Sequence, residues 1–367
     1  MSMCTLCNVT SAVALNDERK SKFEMRMVAA LNEAAMVTMA SLSHRTGLLD
    51  AMAGVPPSST REIAARAGLN ERYVREWLGA MVCSGVVETD AANATYWLPP
   101  EHAAFLTRTG DANLAVAAQF LPLLGAVESD VATCFRSGGG VPYARFDRFH
   151  EVMAEESGQT VLPALETAIL PLVPGLQQRL VEGIEVLDVG CGRGRALLQM
   201  AESYPGSRFT GLDLSPEAIG WARTQAKERG LTNLTFETRD LSDFDVTADP
   251  GRYEMVTTFD AIHDQARPMA LLKGIRRTLA DGGVYLAQDI KGSGSHAGDV
   301  THPLGTMLYT ISCMHCMTVS LAQDGEGLGA MWGEPMARRM LAEAGFGSVE
   351  VHELDHDVMN YYYVCRP

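Results

Sequence analysis

The chain has 367 residues, which is enough for two domains or one large one. Hydrophobic residues make up 47% of the chain and charged residues 20%, which is an ordinary globular mixture. The formal net charge of −15 makes nucleic acid an unfavourable partner, because an acidic chain repels phosphate backbones.

Targeting and redox signals are weak throughout the sequence. No uncharged run of 18 apolar residues occurs, so we expect no membrane partner. Residues 1–20 lack the charged and apolar regions of an export signal. The eight cysteines are scattered along the chain, which suits free thiols in a reducing compartment. We therefore expect a cytoplasmic protein.

Residues 1–110 are predicted to form a helical domain that contains a winged helix. Apolar residues at helical spacing predict a helix pair over residues 17–52. The winged-helix pattern then follows, with Thr60 as the cap of a helix at 61–67, a second helix at 71–84 and two short β runs at 86–89 and 95–98.

This domain is expected to make a homodimer rather than to bind DNA. Residues 25–39 are apolar on most helix faces, more than a monomer normally exposes. In the second helix, Glu71 and Glu76 offset Arg72 and Arg75, and the wing adds Glu88. DNA-reading helices and wings normally carry excess positive charge, so dimerisation is the favoured interpretation.

The remainder of the chain is predicted to be a helical linker and an α/β domain. The linker, residues 111–180, contains an apolar helix at 111–136, a loop at 141–150 and a helix at 151–180 that prolines interrupt. We expect it to contribute to a substrate pocket. From 181 to 367, helices alternate with seven predicted strands, at 185–189, 207–212, 233–238, 253–259, 283–289, 348–354 and 360–365.

Such alternation predicts a seven-stranded, doubly wound, Rossmann-like sheet with helices on both faces. The segment 292–333, rich in Gly, His, Met and Cys, interrupts the alternation after the fifth strand. We interpret it as an insertion that shapes the substrate pocket.

A glycine-rich turn, Gly190-Cys191-Gly192-Arg193-Gly194, directly follows the first strand of this sheet. Glycines there let the backbone turn sharply and approach a ligand closely. A dinucleotide site would show G-x-G-x-x-G, but Arg195 follows Gly194. Asp213 ends the second strand, where a carboxylate can accept hydrogen bonds from a ribose diol, and Asp240 follows the third, where it can accept from an adenine amino group.

These motifs resemble the class I S-adenosylmethionine-dependent methyltransferases. The resemblance rests on Val186 to Gly194, Gly211 to Asp213, Asp240-Leu241 and the turn Gly282-Gly283, and it covers roughly the last half of the chain. With the winged helix in front, the chain resembles small-molecule O-methyltransferases. It resembles more closely the bacterial winged-helix methyltransferases typified by a mycobacterial member, whose signatures the runs 259–265 and 309–317 resemble.

The resemblance implies S-adenosylmethionine as cofactor and a small-molecule methyl acceptor. Asp188 would orient the cofactor's amino group, and Phe259 would lie under the sulfonium. The complete set of implied cofactor-binding residues is Asp188, Gly190, Cys191, Gly192, Asp213, Leu214, Asp240, Leu241 and Phe259.

His263 is the candidate general base, because histidine titrates near neutrality and this one follows the fourth strand. Plant-type O-methyltransferases carry a His-Asp pair at this place, which His263-Asp264 resembles, but Gln265 stands where they have tryptophan. The alternative is that His263 caps the helix that starts near Arg267.

The insertion supplies further candidate residues for the acceptor. His315 is a candidate catalytic residue, and Met314, Cys316 and Trp332 are candidate substrate-binding residues, with Tyr143, Phe146 and His150 as the opposite wall. The helical spacing of Met307, Ile311, Met314 and Thr318 fits either a buried core face or a polarisable wall for a sulfur-bearing or apolar acceptor.

We expect no metal. The C-x-x-C pairs Cys4/Cys7 and Cys313/Cys316 lie too far apart in sequence to make the usual zinc pattern.

Three functions remain open from the sequence. The first is methyl transfer to a small molecule, with a slight preference for a thiol over a hydroxyl acceptor. The second is a DNA-binding regulator, and the third is a cofactor-binding protein that has lost catalysis.

Overall fold

The computed structural model describes residues 15–110 and 112–367, and these divide into two units. The first unit ends at Ala118 and the second is Gln119–Pro367. Cys4 and Cys7 lie outside the described residues. Within the described part of the chain, no single helix has both the length and the apolar composition to cross a membrane, although two bent helix pairs pass that test by length and composition.

One long helix, not a helix pair, opens the first unit. Helix α1 is Asp17–Thr46, and only a short 3-10 turn, Asp50–Met52, follows it. The expected pair is wrong because nothing breaks the helix before Gly47. Gly47 has a φ of 70°, and its N–H returns to the carbonyls of Ser43 and His44, which is a typical helix end.

The winged helix is confirmed in its order of elements. It comprises α2 (Thr60–Ala67), α3 (Glu71–Cys83) and the antiparallel strands β1 (Glu88–Asp90) and β2 (Thr95–Trp97). Ser59, rather than Thr60, caps α2, in a reciprocal capping box with Glu62. Ile63, Val74, Leu78 and Met81 form the centre of its buried core. Helices α4 (Pro100–Leu106) and α5 (Leu114–Ala118) complete the unit.

The helix expected at 111–136 is several short helices. After α5 come α6 (Phe120–Gly125), which contains Pro122, and α7 (Glu128–Ser137). Helix α8 (Phe149–Ala164) begins inside the expected loop, and the predicted proline interruptions follow as a π-helical turn, Leu165–Ile169, and a 3-10 turn, Leu170–Leu172. Helix α9 (Leu176–Glu182) then leads into the sheet.

The doubly wound sheet is confirmed, and its strands have the order β5-β4-β3-β6-β7-β9-β8. The bounds are β3 Glu185–Val189, β4 Arg208–Asp213, β5 Leu234–Thr238, β6 Tyr253–Phe259, β7 Leu279–Ile290, β8 Ser348–Leu354 and β9 Asp357–Arg366. The first five are mutually parallel, and β9 is antiparallel to both β7 and β8. The chain order reverses beside β3, so the carboxyl ends of β3, β4 and β6 meet at the crevice where such sheets bind ligands.

Helices between the strands cover the sheet with apolar residues. They are α10 (Arg195–Ser203), α11 (Pro216–Glu228), α12 (Phe244–Thr247), α13 (Pro268–Thr278) and α16 (Gly333–Glu343). The segment after β7 contains α14 (Gly305–Ile311), a π-helical turn at Ser312–Cys316 and α15 (Met317–Leu321). This segment is therefore largely helical.

Candidate active site

The glycine turn after β3 is fixed by hydrogen bonds to the next strand. The backbone N–H groups of Gly190 and Cys191 donate to the carbonyl of Leu212 at 2.8 and 3.0 Å. Gly190 has a φ of 70°, and a Cβ added there would lie 2.6 Å from the Cβ of Ala261. Gly194 has a φ of 62°, and a Cβ there would lie 2.2 Å from the ring of Phe236. Both positions therefore require glycine.

Asp213 holds this turn from the end of β4. Its Oδ2 accepts the N–H of Gly192 at 2.8 Å, and its Oδ1 accepts the N–H of Ser215 at 2.8 Å. A carboxylate can accept about four hydrogen bonds, so each oxygen keeps capacity for a ligand hydroxyl. The carboxylate is therefore already oriented toward the turn before any ligand arrives.

Two adjoining cavities lie along the carboxyl ends of β3, β4, β5 and β6. The smaller, of about 130 Å³, is lined among others by Asp188, Cys191, Gly192 and Phe259. The larger, of about 620 Å³, is lined among others by Leu214, Asp240 and Leu241. Gly190 and Asp213 line both. The structure thus brings all nine predicted cofactor residues to one continuous site.

The smaller cavity is acidic. Four aspartates line it, Asp188, Asp213, Asp260 and Asp264, against two arginines, Arg193 and Arg195. Arg193 is paired with Glu217 at 2.6 Å, which offsets its charge. The cavity therefore offers little free positive charge to a pyrophosphate, whereas a cationic ligand would favour the ionised form of Asp188, Asp260 and Asp264, whose pKa values burial raises.

Asp188 and Cys191 lie at the bottom of the turn. Asp188 accepts a hydrogen bond from the hydroxyl of Thr257 at 2.8 Å. Burial raises the pKa of Asp188 to about 7, against the opposing effect of that hydrogen bond. Burial also raises the pKa of the Cys191 thiol well above its usual range, so this thiol stays protonated beside a bound ligand.

His263 does not face either cavity, which is the first difference from the sequence expectation. It is buried, and its Nδ1 lies 2.7 Å from Oδ1 of Asp289, which also accepts the indole N–H of Trp332 at 3.0 Å. Burial opposes charge on the imidazole, but Asp289 and Cys316 outweigh it and hold the pKa of His263 well above its ordinary value. A cationic imidazole has no free nitrogen to accept a proton, so His263 is poorly suited to act as a base.

The donor atoms of Asp260, His263 and Asp289 also lie within 4.8 Å of one another, so the three could surround an ion. However, Oδ1 of Asp289 already accepts from His263, from Trp332 and from the backbone of Ile290. The arrangement is better described as a buried ion pair than as an open metal site.

Asp264, the next residue, does reach the site. Its carboxyl group lines both cavities, and its Oδ2 accepts the phenol O–H of Tyr143, which also lines both. Burial raises the pKa of Asp264, whereas the charge of His263 and the hydrogen bond from Tyr143 lower it. A carboxylate whose pKa is shifted toward neutrality, at a cavity wall, is a candidate general base.

His315 is fully buried behind the wall of the cavities. Its ring stacks on that of Phe149 with centroids 3.6 Å apart and planes 12° apart, and the rings of Phe146 and Tyr143 meet it edge-on at 4.6 and 5.3 Å. Neither ring nitrogen has a hydrogen-bond partner among the described residues. Burial, with the charges of His263 and His150, holds the pKa of His315 well below its ordinary value, so the ring is neutral.

The other insertion residues expected at the substrate wall pack in apolar clusters. Met314 packs against the cluster of α6, α7 and Phe146, Cys316 belongs to a cluster with Ile290 and Leu308, and Trp332 packs under the sheet. None of the three lines either cavity. Their helical spacing therefore marks the core face, the alternative interpretation of the sequence.

Two residues were missed by sequence reasoning. Phe149 lines both cavities but falls in a segment expected to be a loop. Asp289 sits at the end of β7, and an aspartate at or just after a strand end is the same signal that identified Asp213 and Asp240.

Family comparisons agree with this geometry. A family model described as an Rv2258c-like winged HTH domain matches residues 34–108, and a methyltransferase domain model matches residues 180–329. The chain combines a winged HTH domain with a methyltransferase domain. The second match covers the glycine turn, Asp213, Asp240 and Asp264, whereas the cavity-lining residues outside this match lie within residues 143–162, before the matched domain begins.

Individual relatives match part of the chain. The chain is 38% identical over 104 residues to a 2-heptyl-1-hydroxyquinolin-4(1H)-one methyltransferase of Mycobacteroides abscessus, which is 28% of this chain and 43% of the relative. It is 30% identical over 163 residues to a cypemycin N-terminal methyltransferase of Streptomyces, which is 40% of this chain and 63% of the relative. The matches thus span less than two thirds of these relatives.

The fold itself is shared over nearly the full length with solved structures. Human N-acetylserotonin methyltransferase in complex with S-adenosylmethionine superposes with a TM-score of 0.63 at 18% identity. The superposition covers 97% of this chain and 99% of that one. At this identity, the likeness shows the fold.

Proposed function

We propose that this chain is an S-adenosylmethionine-dependent methyltransferase that methylates a hydroxyl oxygen of a small molecule. The observation that carries the proposal is the continuous site at the ends of four parallel strands, lined by all nine residues that the sequence predicted for this cofactor. When bound, the cofactor supplies the electrophilic methyl group. The chain must bind and orient both partners, exclude water and take up the acceptor's proton.

The residues present fit this cofactor. Asp188 faces the site as a buried carboxyl that an ammonium group would keep ionised, and the two oxygens of Asp213 have capacity for the two ribose hydroxyls. Asp240 and Leu241 offer a polar and an apolar contact for the adenine ring, and Phe259 lines the cavity near Asp188. The negative lining suits a sulfonium, and an uncharged thioether product would be held less tightly.

Asp264 is the proposed general base. Its carboxylate lies on the cavity wall, whereas the His263 imidazole is engaged with Asp289 away from it. In this proposal Asp264 takes the acceptor's hydroxyl proton, Tyr143 orients the carboxylate by its hydrogen bond, and His263 positions the β6 end through its ion pair. A buried carboxylate matches a phenol-like hydroxyl, whose proton is acidic enough to transfer at the moment of methylation.

Oxygen is favoured over sulfur as the acceptor atom. The preference for a thiol rested on the resemblance to relatives implicated in methylating thiols and on the Met, Cys and His residues of the insertion, and of these Met314, His315 and Cys316 line neither cavity. The relatives include a 2-heptyl-1-hydroxyquinolin-4(1H)-one methyltransferase and a ubiquinone-biosynthesis O-methyltransferase. The small-molecule acceptor of this chain is therefore proposed to present a hydroxyl.

The first unit is proposed to serve dimerisation rather than DNA binding. On α1, Phe23 and Leu31 are 60% and 68% exposed, and Met25, Met27 and Val28 accompany them. On α3, Arg72 pairs with Glu76 and Arg75 with Glu71, which cancels the charge that DNA would need. Light scattering should give twice the chain mass, and Leu31→Glu should halve it; a monomeric wild type contradicts this proposal.

The central experiment measures S-adenosylhomocysteine after incubation with S-adenosylmethionine and a panel of phenols, hydroxyquinolinones and thiols. We expect turnover with hydroxylated rings, and its loss in Asp264→Asn with unchanged binding of S-adenosylhomocysteine. Asp281→Asn, which changes an exposed aspartate near the start of β7, is the matched control. Turnover with thiols alone would overturn the choice of oxygen, and no cofactor binding would overturn the whole proposal.

A further inference from the structure

The smaller cavity contains an arginine whose charge is not balanced by a carboxylate of the described chain. Arg195, the first residue of α10, lines this cavity together with Arg193. Arg193 is engaged in an ion pair with Glu217 at 2.6 Å. Across residues 15–110 and 112–367, Arg195 has one hydrogen-bond partner, the backbone carbonyl of Ala154, and no ion-pair partner. Its Nε and Nη2 atoms have no partner there and remain accessible, so these donors are open to a ligand.

Helix α8 leaves room for this guanidinium at the cavity wall. A Cβ added at Gly158, in the middle of α8, would lie 2.6 Å from Nη1 of Arg195 and 3.2 Å from its Cζ and Nη2. Glycine inside a helix is destabilising relative to alanine, but here it provides the space that the guanidinium occupies. Ala154 and Ser157, on the same helix, line the cavity with Arg195. The guanidinium is therefore held between α8 and the cavity.

The charge around Arg195 differs from that in the rest of the cavity. Burial lowers the pKa of its guanidinium, as does the charge of Arg229, whereas Glu155 raises it. The four aspartates that line the cavity do not contribute to this shift. By contrast, burial and the charge of Asp213 raise the pKa of Asp188. The cavity therefore has an acidic part around Asp213 and a separate cationic part at Arg195, which suits a zwitterionic ligand.

We propose that Arg195 binds the carboxylate at the amino-acid end of the cofactor. The inference rests on the proposed function, because it names the residue that recognises one group of the proposed cofactor. That end of S-adenosylmethionine carries an ammonium group, which Asp188 would bind, and a carboxylate, which needs a cation. Of the two arginines in the lining, Arg195 is the one without a carboxylate partner, and a guanidinium matches two carboxylate oxygens with parallel N–H donors. Arg195 thus selects the intact amino-acid end over a nucleoside thioether that lacks the carboxylate.

The test compares two ligands that differ only in this carboxylate. S-adenosylhomocysteine carries the ammonium and the carboxylate, and 5′-(3-aminopropyl)thioadenosine lacks only the carboxylate. At pH 8, above the pKa of about 7 of Asp188, calorimetry should show that the wild type binds S-adenosylhomocysteine at least tenfold more tightly. Equal affinities would overturn the role of Arg195 and leave the cofactor proposal standing, whereas absence of S-adenosylhomocysteine binding would overturn both.

The decisive variant is Arg195→Gln, which removes the charge and keeps an N–H donor for the carbonyl of Ala154. We expect at least tenfold weaker binding of S-adenosylhomocysteine and an unchanged affinity for the aminopropyl compound. Arg252→Gln is the matched control, because Arg252 pairs with Asp249 at 3.0 Å and lines neither cavity. A merely structural Arg195 would weaken both ligands equally, which would overturn the proposal. It would also be overturned if Arg193→Gln, and not Arg195→Gln, abolished the discrimination between the two ligands.

A second variant tests the position of the guanidinium. Gly158→Ala places a Cβ against Nη1 of Arg195, so the flexible side chain must move. We expect at least threefold weaker binding of S-adenosylhomocysteine, an unchanged affinity for the aminopropyl compound, and no further loss when Gly158→Ala is added to Arg195→Gln. Gly220→Ala, in open space on α11, should leave both affinities unchanged. Additive losses in the double variant would show that Gly158 acts without Arg195 and would overturn the proposal.

Discussion

Removal of the Tyr143 hydroxyl should change the pH dependence of catalysis. Tyr143→Phe keeps the aromatic ring that contacts His150 and His315 but deletes the hydrogen bond to Asp264. This hydrogen bond lowers the pKa of Asp264 against the raising effect of burial. Without it, the pKa of Asp264 rises further, so the base is protonated over a wider pH range.

The size of this change follows from the strength of one hydrogen bond to a charged group. Such bonds contribute about 1.5–3 kcal/mol, and about 1.4 kcal/mol corresponds to one pKa unit. Even at the lower value, the acid limb of kcat/KM should move upward by about one pH unit. Below that limb, activity should fall about tenfold, whereas the plateau at high pH should be largely retained.

The assay is a kcat/KM profile from pH 5 to 9 with the best hydroxylated acceptor from the panel. Tyr309→Phe is the matched control, because its hydroxyl donates to Asp299 at 2.9 Å outside both cavities. An acid limb that stays in place, or that moves to lower pH, would refute the assignment of Asp264 as the base.

Three further predictions concern the cofactor turn and the buried ion pair. Since the pKa of Asp188 is about 7, calorimetry should show the affinity for S-adenosylhomocysteine rising as the pH passes upward through 7, and Asp188→Asn should bind more weakly with no such rise. His263→Ala should lower the free energy of unfolding in urea by about 3–5 kcal/mol, because it leaves Asp289 buried without its partner. The folded-state pKa of His263 is raised, so the loss should be largest below pH 6.5 and should shrink as the pH rises through the raised value; a loss that grows with pH would contradict the ion pair. Gly194→Ala should cost about 2–5 kcal/mol of unfolding free energy from backbone strain and contact with Phe236, whereas Gly220→Ala, in open space on α11, should stabilise the chain by about 0.5–1 kcal/mol; equal effects would disprove the steric account.

The sequence predicted the parts of the fold that depend on local pattern. The strands at 185–189, 253–259 and 348–354 have the predicted bounds, because alternating apolar runs and turn residues are local signals. The cofactor residues were predictable for a related reason. Each lies at or just after the carboxyl end of a parallel strand, and these strand ends meet at one edge of the sheet.

The remaining errors concern side-chain partners that are distant in sequence. His263 follows a strand end as the cofactor residues do, but Asp289, 26 residues away, turns its imidazole into the interior. The direction in which Met314, Cys316 and Trp332 point depends on how the insertion packs, which helical spacing alone does not specify. Phe149 was missed because only three residues separate its helix from the 3-10 turn Tyr143–Arg145, in a stretch that has no helical periodicity.

The double hydrogen bonding of Asp213 has a consequence for ligand design and for evolution. One carboxylate holds the glycine turn against β4 and, in the proposed function, would offer its remaining lone pairs to the ribose. The ordering of the turn is therefore completed when the chain folds, and little conformational entropy is left to lose when the nucleoside arrives. A compound that contacts only the ribose site at Asp213 should therefore meet an already ordered turn. A substitution of Asp213 that lowers cofactor affinity should also remove the hydrogen bonds that hold the turn.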